Sequence, residues 1–140
     1  MYEYKCRIVR VIDGDTVDVD IDLGFGIWIK NERIRLKDID APEVRTKDRL
    51  EKKCGYAAKT FLKDALGKIS ILRTTKQEKG KYGRVLGEFI VYDRETDSWI
   101  SANKMLVREH LAIEYHGQSK ESIEEEHLKN RQILQERGII

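Results

Sequence analysis

The 140-residue chain carries 27 Lys and Arg against 25 Asp and Glu, a net charge of +2. With 40% hydrophobic and 37% charged residues, it fits one domain, residues 1–140, with a modest core under a charged surface. Wholesale disorder is excluded. No apolar run approaches the ~20 residues of a membrane helix, and near-neutrality does not by itself announce a polyanion partner. The charge is unevenly spread. Residues 51–100 hold eleven basic and seven acidic side chains, whereas residues 1–50 and 101–140 each carry one acid in excess.

In chain order, Cys6 to Ile12 alternates as a strand, with Cys6 and Ile8 on one side and Val9 and Val11 on the other. Asp13-Gly14-Asp15 is a turn signal. Val17, Val19 and Ile21 then alternate with Asp18, Asp20 and Asp22, the period-two pattern of a half-solvated strand. Leu23 to Gly26 turns the chain into a third strand, Ile27 to Leu36, in which Trp28 is expected to be a half-buried structural residue. Asp38 to Glu43, around Pro42, reads as irregular.

From Asp48 the period becomes helical, with Leu50, Cys54, Ala57, Ala58, Phe61, Leu62, Ala65 and Leu66 on one stripe and Gly67 as a C-terminal cap. Ile69–Thr74 and Arg84–Tyr92 read as two more strands, separated by the glycine- and lysine-rich loop Lys76–Gly83. Ser101 can cap a short helix carrying Met105 and Leu106. Ser122 and Glu125 match a capping box for a last helix over Ile123–Arg137, with Ile123, His127 and Leu134 on one stripe. This helix is expected to cover the barrel rather than to work in a site. The expected fold is α+β, mainly β: an OB-fold, that is, a five-stranded Greek-key barrel, with about three helices.

Two segments concentrate chemistry: Asp13-Gly14-Asp15-Thr16-Val17, and Arg35-Leu36-Lys37-Asp38-Ile39-Asp40-Ala41-Pro42-Glu43. Each alone is equally an ordinary turn or strand exit with solvated acids. Together they bring Asp15, Asp40 and Glu43 to neighbouring strand ends, where carboxylates repel unless a cation lies among them. A hard cation such as Ca²⁺ takes ~6–8 oxygen ligands, so few protein ligands would leave positions for water and substrate. Arg35 and Arg84, converging on a phosphate, would offer bidentate bonds to oxygens that gain charge during phosphoryl transfer. Lys76, Lys79 and Lys81, with Tyr82 among them, suit a solvated turn or a backbone-tracking loop. Cys6 and Cys54 have no metal-ligand spacing and read as reduced, half-buried thiols.

Three segments in order, Ile12–Val17, Arg35–Glu43 and Lys81–Arg84, resemble the signatures of the staphylococcal nuclease (thermonuclease) family. The resemblance runs from about Arg7 to Tyr115 and, more loosely, into the last helix. It implies the OB-fold barrel and a Ca²⁺-dependent phosphodiesterase acting on DNA and RNA. It further implies that Asp15, Asp40 and the Ala41 carbonyl hold the ion and that Glu43 activates or orients the attacking water. Arg35 and Arg84 clamp the phosphate, Lys81 and Tyr82 lie near a terminal phosphate and its nucleoside, and Asp13 is an acid behind the ion ligands. Tyr115 is implied as a base-stacking group, although this chain has one tyrosine where the family has a pair. The same resemblance implies cleavage that leaves 3′-phosphates, and a compact plan similar to phage or mobile-element nucleases.

Met1 to Arg7 lacks the basic-then-apolar layout of a secretory signal, so a monomeric, cytoplasmic protein without membrane contact is expected. The rival from another class is a nucleic-acid or protein-binding module on the same barrel without catalysis. Because all of Asp15, Asp40, Glu43, Arg35 and Arg84 are present, the enzyme is the stronger expectation. With charge so nearly balanced, substrate should be gripped locally, with strong dependence on metal and moderate dependence on salt.

Overall fold

A computed structural model describes residues 2–74 and 85–140. The loop Lys76–Gly83 and Arg84, and with them the expectations for Lys81, Tyr82 and Arg84, lie outside the described residues. The elements in chain order are β1 (Tyr2–Asp13), β2 (Thr16–Asp22), β3 (Trp28–Leu36), β4 (Ile39–Asp40), α1 (Arg49–Leu66), β5 (Ile69–Thr74), β6 (Val85–Asp93), β7 (Ser98–Ser101), α2 (Ala102–Arg108), β8 (Ile113–Glu114) and α3 (Lys120–Glu136).

β1, β2 and β3 form an antiparallel meander, and β1 pairs on its other edge with β5. β5 pairs with β6, and β6 returns to β3 in parallel, with Ile34 opposite Val85 and Leu36 opposite Gly87. The ring β1–β2–β3–β6–β5 therefore closes on itself, in the strand order of the expected OB-fold. A cap at one end of the ring comes from the helices. Phe89, Ile34, Leu36, Leu72 and Val17 from the strands meet Leu62, Leu106 and Leu134 from α1, α2 and α3, and all of them are fully buried.

Where the structure departs from the simple alternation, the cause is local. Along β1, the register passes from Ile8 opposite Val19 to Arg10 opposite Asp18. Two residues of β1 thus face one of β2, and Val9 is the extra one. Such a bulge reverses the inward phase. Val9 lies 48% exposed while Val11, two residues on, is buried, so the two valines do not share a face as the alternation implied. The stretch Asp38–Glu43, expected to be irregular, contains β4, whose two residues pair with Glu114 and Ile113 of β8. Neither two-residue strand carries enough pattern to be seen in sequence, and β7 too was not anticipated.

α1 begins as the sequence indicates. The Asp48 carboxylate accepts hydrogen bonds from the Leu50 and Glu51 amides, and Gly67 closes the helix at φ 63° with its N–H on the Lys63 carbonyl. α3 starts earlier than expected. Ser119 is the cap, its hydroxyl accepting from the Ser122 amide, so Ser122 lies inside the first turn. Both serines fit a cap chemically, and the one preceding the extra helical turn prevails.

Cys6 and Cys54 are free and buried. Burial pushes the Cys6 thiol up to about 11, which keeps it protonated and unreactive. Trp28 is half-buried as expected, with the Arg7 guanidinium 4.9 Å from its ring centre and the Lys30 amine at 5.4 Å. Among the described residues, no helix is long and apolar enough to cross a membrane.

At the end of β6, Asp93 ties three segments together. It accepts from Arg108 at the end of α2 at 2.6 Å, from the Thr96 hydroxyl at 2.9 Å and from the Glu95 amide at 3.3 Å. The Arg108 bond chiefly holds the Asp93 carboxyl below its ordinary value. Between that lowered value and about 3.9, the unfolded chain binds the proton that the native chain refuses. The stability supplied by this carboxylate is therefore whole above about pH 4 and is lost as the pH falls below it. Asp93→Asn is expected to lower the melting temperature at neutral pH and to flatten its fall between pH 4 and 2. Parallel wild-type and variant melting curves across that range would contradict this role.

Candidate active site

The carboxylates sit where strands end. Gly14 and Asp15 form the turn between β1 and β2. The Asp15 backbone carbonyl accepts from the Leu36 amide at 2.8 Å, so the start of β2 is fastened to the end of β3. A side chain at Gly14 would bring its Cβ within 2.6 Å of the Ala58 Cβ and 3.0 Å of the Ala41 Cβ. The turn can therefore lie flat between α1 and the 39–43 segment only with glycine there. Further on, Asp38 has φ 63°, and its carbonyl accepts from the Tyr115 amide at 2.8 Å. The β4–β8 ribbon then carries Asp40 opposite Ile113. Asn103, buried at the start of α2, donates to the carbonyls of Lys37 and Gly87 at 3.0 and 3.1 Å. That amide pins the exit of β3 to β6 and so fixes where β4 begins.

These constraints bring Asp15 and Asp40 onto one guanidinium. Arg35 Nη1 is 3.3 Å from Asp15 Oδ2, and Arg35 Nη2 is 3.4 Å from Asp40 Oδ1. A third Arg35 contact runs from Nη1 to the Leu36 carbonyl at 3.1 Å. Asp15 is only 8% exposed. Its Oδ1 accepts from the Thr16 hydroxyl and its Oδ2 from the Ala41 amide, both at 2.9 Å. Burial raises the Asp15 carboxyl above its ordinary value, with Arg35 and these hydrogen bonds opposing the rise. Asp13, implied as an acid behind the site, accepts from the Val44 amide at 3.2 Å and so anchors the loop carrying Glu43. Glu43 is raised too, first by desolvation and then by the negative charge of Asp13, Glu51, Asp15 and Asp40.

Sequence reading missed one member of the constellation. His127, on α3, places Nε2 2.7 Å from Asp40 Oδ2. Since the carboxylate oxygen is the acceptor, that nitrogen carries the proton. Nδ1 is buried with no hydrogen-bond partner among the described residues. α3 is therefore not a cover alone. It fixes the outer oxygen of Asp40 and leaves the inner one to Arg35. In sequence, the only trace was a polar residue on an otherwise apolar stripe.

Of the expected site residues, the structure thus joins Asp15, Arg35, Asp40 and Ala41, with Asp13 and Glu43 alongside. Tyr115 follows β8 beside Asp38 and is 44% exposed. The carboxylates and Arg35 do not stand apart around an open centre, as a cation among three acids would require. Among the described residues, no three His, Cys, Asp or Glu side chains surround one point; instead, a guanidinium occupies the space between two carboxylates. The donor set nevertheless suits a hard cation. It is all oxygen, it lies beside further acids, and two or three protein ligands would leave the remainder of ~6–8 positions to water and substrate.

A closed β ring carries a carboxylate–arginine–carboxylate bridge on its rim. The model of the staphylococcal nuclease homologue family matches residues 33–136, and the chain belongs to that family. Asp13 and Asp15 precede the matched stretch, while Arg35, Asp40, Glu43, Tyr115 and His127 fall within it. Similar proteins include a micrococcal nuclease of Shigella flexneri, 29% identical over 116 residues, covering 81% of this chain and 59% of that protein. A thermonuclease of Staphylococcus hyicus is 35% identical over 85 residues, covering 60% of this chain and 47% of that protein. An uncharacterized endonuclease of Escherichia coli is 31% identical over 134 residues, covering 95% and 74%. The chain thus spans about half to three-fifths of the length of the first two.

Gly55 of α1 sets the position of Glu43. A Cβ there would fall 2.5 Å from the Glu43 carbonyl oxygen and 3.0 Å from the Val44 nitrogen. Gly55→Ala gains ~1 kcal/mol of helix propensity, but overpacking against backbone costs ~1–3 kcal/mol. A net loss of about 0–2 kcal/mol is expected in thermal unfolding. The more telling result is expected in hydrogen exchange, where the Val44 amide, torn from Asp13, should exchange at least about tenfold faster. Unchanged protection at Val44 would show that the helix does not position this loop.

Proposed function

We propose that this chain is a Ca²⁺-dependent nuclease that hydrolyses phosphodiester bonds of DNA or RNA, leaving 3′-phosphate ends. The observation that supports it best is the single guanidinium shared by Asp15 and Asp40, with the proton-hungry Glu43 beside them. Asp15, Asp40 and the Ala41 carbonyl would hold the ion. When bound, it would neutralise charge on a phosphate oxygen. Relatives bearing the names nuclease, thermonuclease and endonuclease support the same reading.

The residues of the chain divide the work by charge and position. Arg35 supplies a fixed positive group between the two carboxylates, where a phosphate drawn to the site can share it. The environment of Glu43 favours its protonated form, so it is a better proton acceptor than an ordinary glutamate at neutral pH. It takes a proton from water as the water oxygen bonds to phosphorus. The P–O5′ bond breaks, and the 5′-oxygen is released as a hydroxyl with the proton that Glu43 took, returned through solvent. Arg84, assigned on family resemblance, gives a second contact to the phosphate oxygens. His127 holds Asp40 in place throughout. Tyr115, which is exposed and follows β8, would stack a base.

Digestion of single-stranded DNA and RNA with Ca²⁺ or with EGTA, with product ends mapped, tests the reading. Cleavage in Ca²⁺ alone with 3′-phosphate ends is expected. Removing one charged group that acts in the transition state costs ~10²–10³ in rate, so Glu43→Gln and Arg35→Ala should each lose at least that much. Retained binding without cleavage would instead make this a binding module, and wild-type rates in both variants would remove these residues from the chemistry.

A further inference from the structure

Beyond the site, the densest run of cations among the described residues lies along α1 and the loop before it. Residues 44–63 contain seven basic and two acidic side chains. One of the two acids, Asp48, is occupied in capping α1 and in pairing with Arg131 at 3.3 Å. Arg45, Lys47, Arg49, Lys52 and Lys53 are all exposed, and among the described residues none has an ion-pair partner. On α1, residues 49, 52, 53, 56 and 59 recur at spacings of three and four and share one face. It lies opposite the face that buries Cys54, Ala58, Leu62 and Leu66. Like charges so spaced repel one another by a few tenths of a kcal/mol per pair, and nothing within the described residues offsets this.

The face is shaped as well as charged. A hollow of about 510 Å³ is lined by Val44, Arg45, Thr46, Lys47, Lys52 and Tyr56. A second hollow continues from it along the helix, sharing Lys52 and Tyr56 and reaching Lys53 and Arg137. Tyr56 stands between them, 49% exposed, with the Lys59 amine 5.8 Å from its ring centre. The first hollow opens directly beside the candidate site. Val44 follows Glu43 in the chain, and Gly55, next to Tyr56, is packed against the Glu43 backbone.

We propose that this face is a binding track for a single-stranded nucleic acid. The lysines and arginines would follow its phosphates, and Tyr56 would stack one base, outside the reacting centre. The inference rests on the nuclease reading for the identity of the ligand. From Arg49 to Lys59 the helix offers ~15 Å, and with the loop before it this is enough for several nucleotides. The near-neutral total charge had suggested a purely local grip. Segregation of the cations onto α1 and its approach loop indicates an extended one, in which affinity grows with strand length and falls with salt.

The test is fluorescence anisotropy with a labelled oligodeoxynucleotide of about 12 nucleotides and the wild-type chain in EGTA, over a salt series. Lys52→Glu/Lys53→Glu is expected to weaken binding at least about tenfold. It should also flatten the slope of log affinity against log salt by about 1.4, two contacts at ~0.7 each on a single strand. Lys52→Gln/Lys53→Gln should show the same flattening with a smaller loss, and melting temperatures report whether either variant is unfolded. Tyr56→Ala should weaken binding about fivefold or more with the slope unchanged, because stacking releases no counterions. Under Ca²⁺, none of these variants should alter cleavage of a dinucleotide, whereas KM for the long strand should rise at constant kcat.

Equal affinity and equal salt slope in wild-type and charge-reversed chains would overturn the track while leaving the nuclease reading intact. Strand binding through this face by a chain that cleaves nothing would do the reverse.

Discussion

The Arg35 guanidinium, held between Asp15 and Asp40, is the interaction on which the site depends. Two carboxylates brought together at a partly buried strand end repel each other and lose hydration. At an intermediate dielectric, unit charges ~4 Å apart interact by about 4 kcal/mol, an amount comparable with what desolvation costs each of them. Arginine offsets that cost because its planar fork meets one oxygen of each acid. Of the two other oxygens, Asp15 Oδ1 accepts from Thr16 and Asp40 Oδ2 from His127, while the Ala41 amide shares Asp15 Oδ2 with Arg35. Every oxygen of the pair is thus hydrogen-bonded, yet one guanidinium offsets only one of the two carboxylates, and on the proposed reading a cation would meet the negative charge that remains.

Much of the surrounding fold serves to hold those three side chains in register. β3 delivers Arg35 opposite Thr16, beside the turn that carries Asp15. β6 closes the ring against β3, and Asn103 ties the two together at Lys37 and Gly87. Glycines at 14 and 55 let α1 approach the Asp15 turn and the Glu43 backbone at distances that a methyl group would forbid. The β4–β8 ribbon carries Asp40, and α3 reaches over it with His127. The same α1 that presses on Glu43 from its inner side presents the basic track on its outer side. Catalytic positioning and strand binding would then share one helix.

How much of this was legible in the sequence depended on the length of the pattern. The alternating aspartates of β2, the helical period from Asp48 with its Gly67 cap and the two carboxylate motifs each span enough residues, or special enough chemistry, to be read directly. The outward Val9 was not legible, because a bulge reverses the strand face without any composition signal. Two-residue strands such as β4 and β8 have no period at all. His127 lies 87 residues from its partner Asp40, and only the tertiary fold brings it there. The cap of α3 at Ser119 was misread as Ser122 because both offer the same hydroxyl. The basic surplus of residues 51–100 is visible in the sequence, but a sum over a segment does not show that several of its cations share the outer face of α1 with those of the loop before it.

Calorimetric titration of the chain with Ca²⁺, compared with Asp40→Asn, tests the central claim most directly, that the Arg35-bridged carboxylates are a cation site. The expected result is one ion per wild-type chain, and binding at least about tenfold weaker once Asp40 loses its charge. No binding by the wild-type chain, or equal affinity in the two proteins, would mean that the bridge is a structural ion pair and that any metal acts elsewhere.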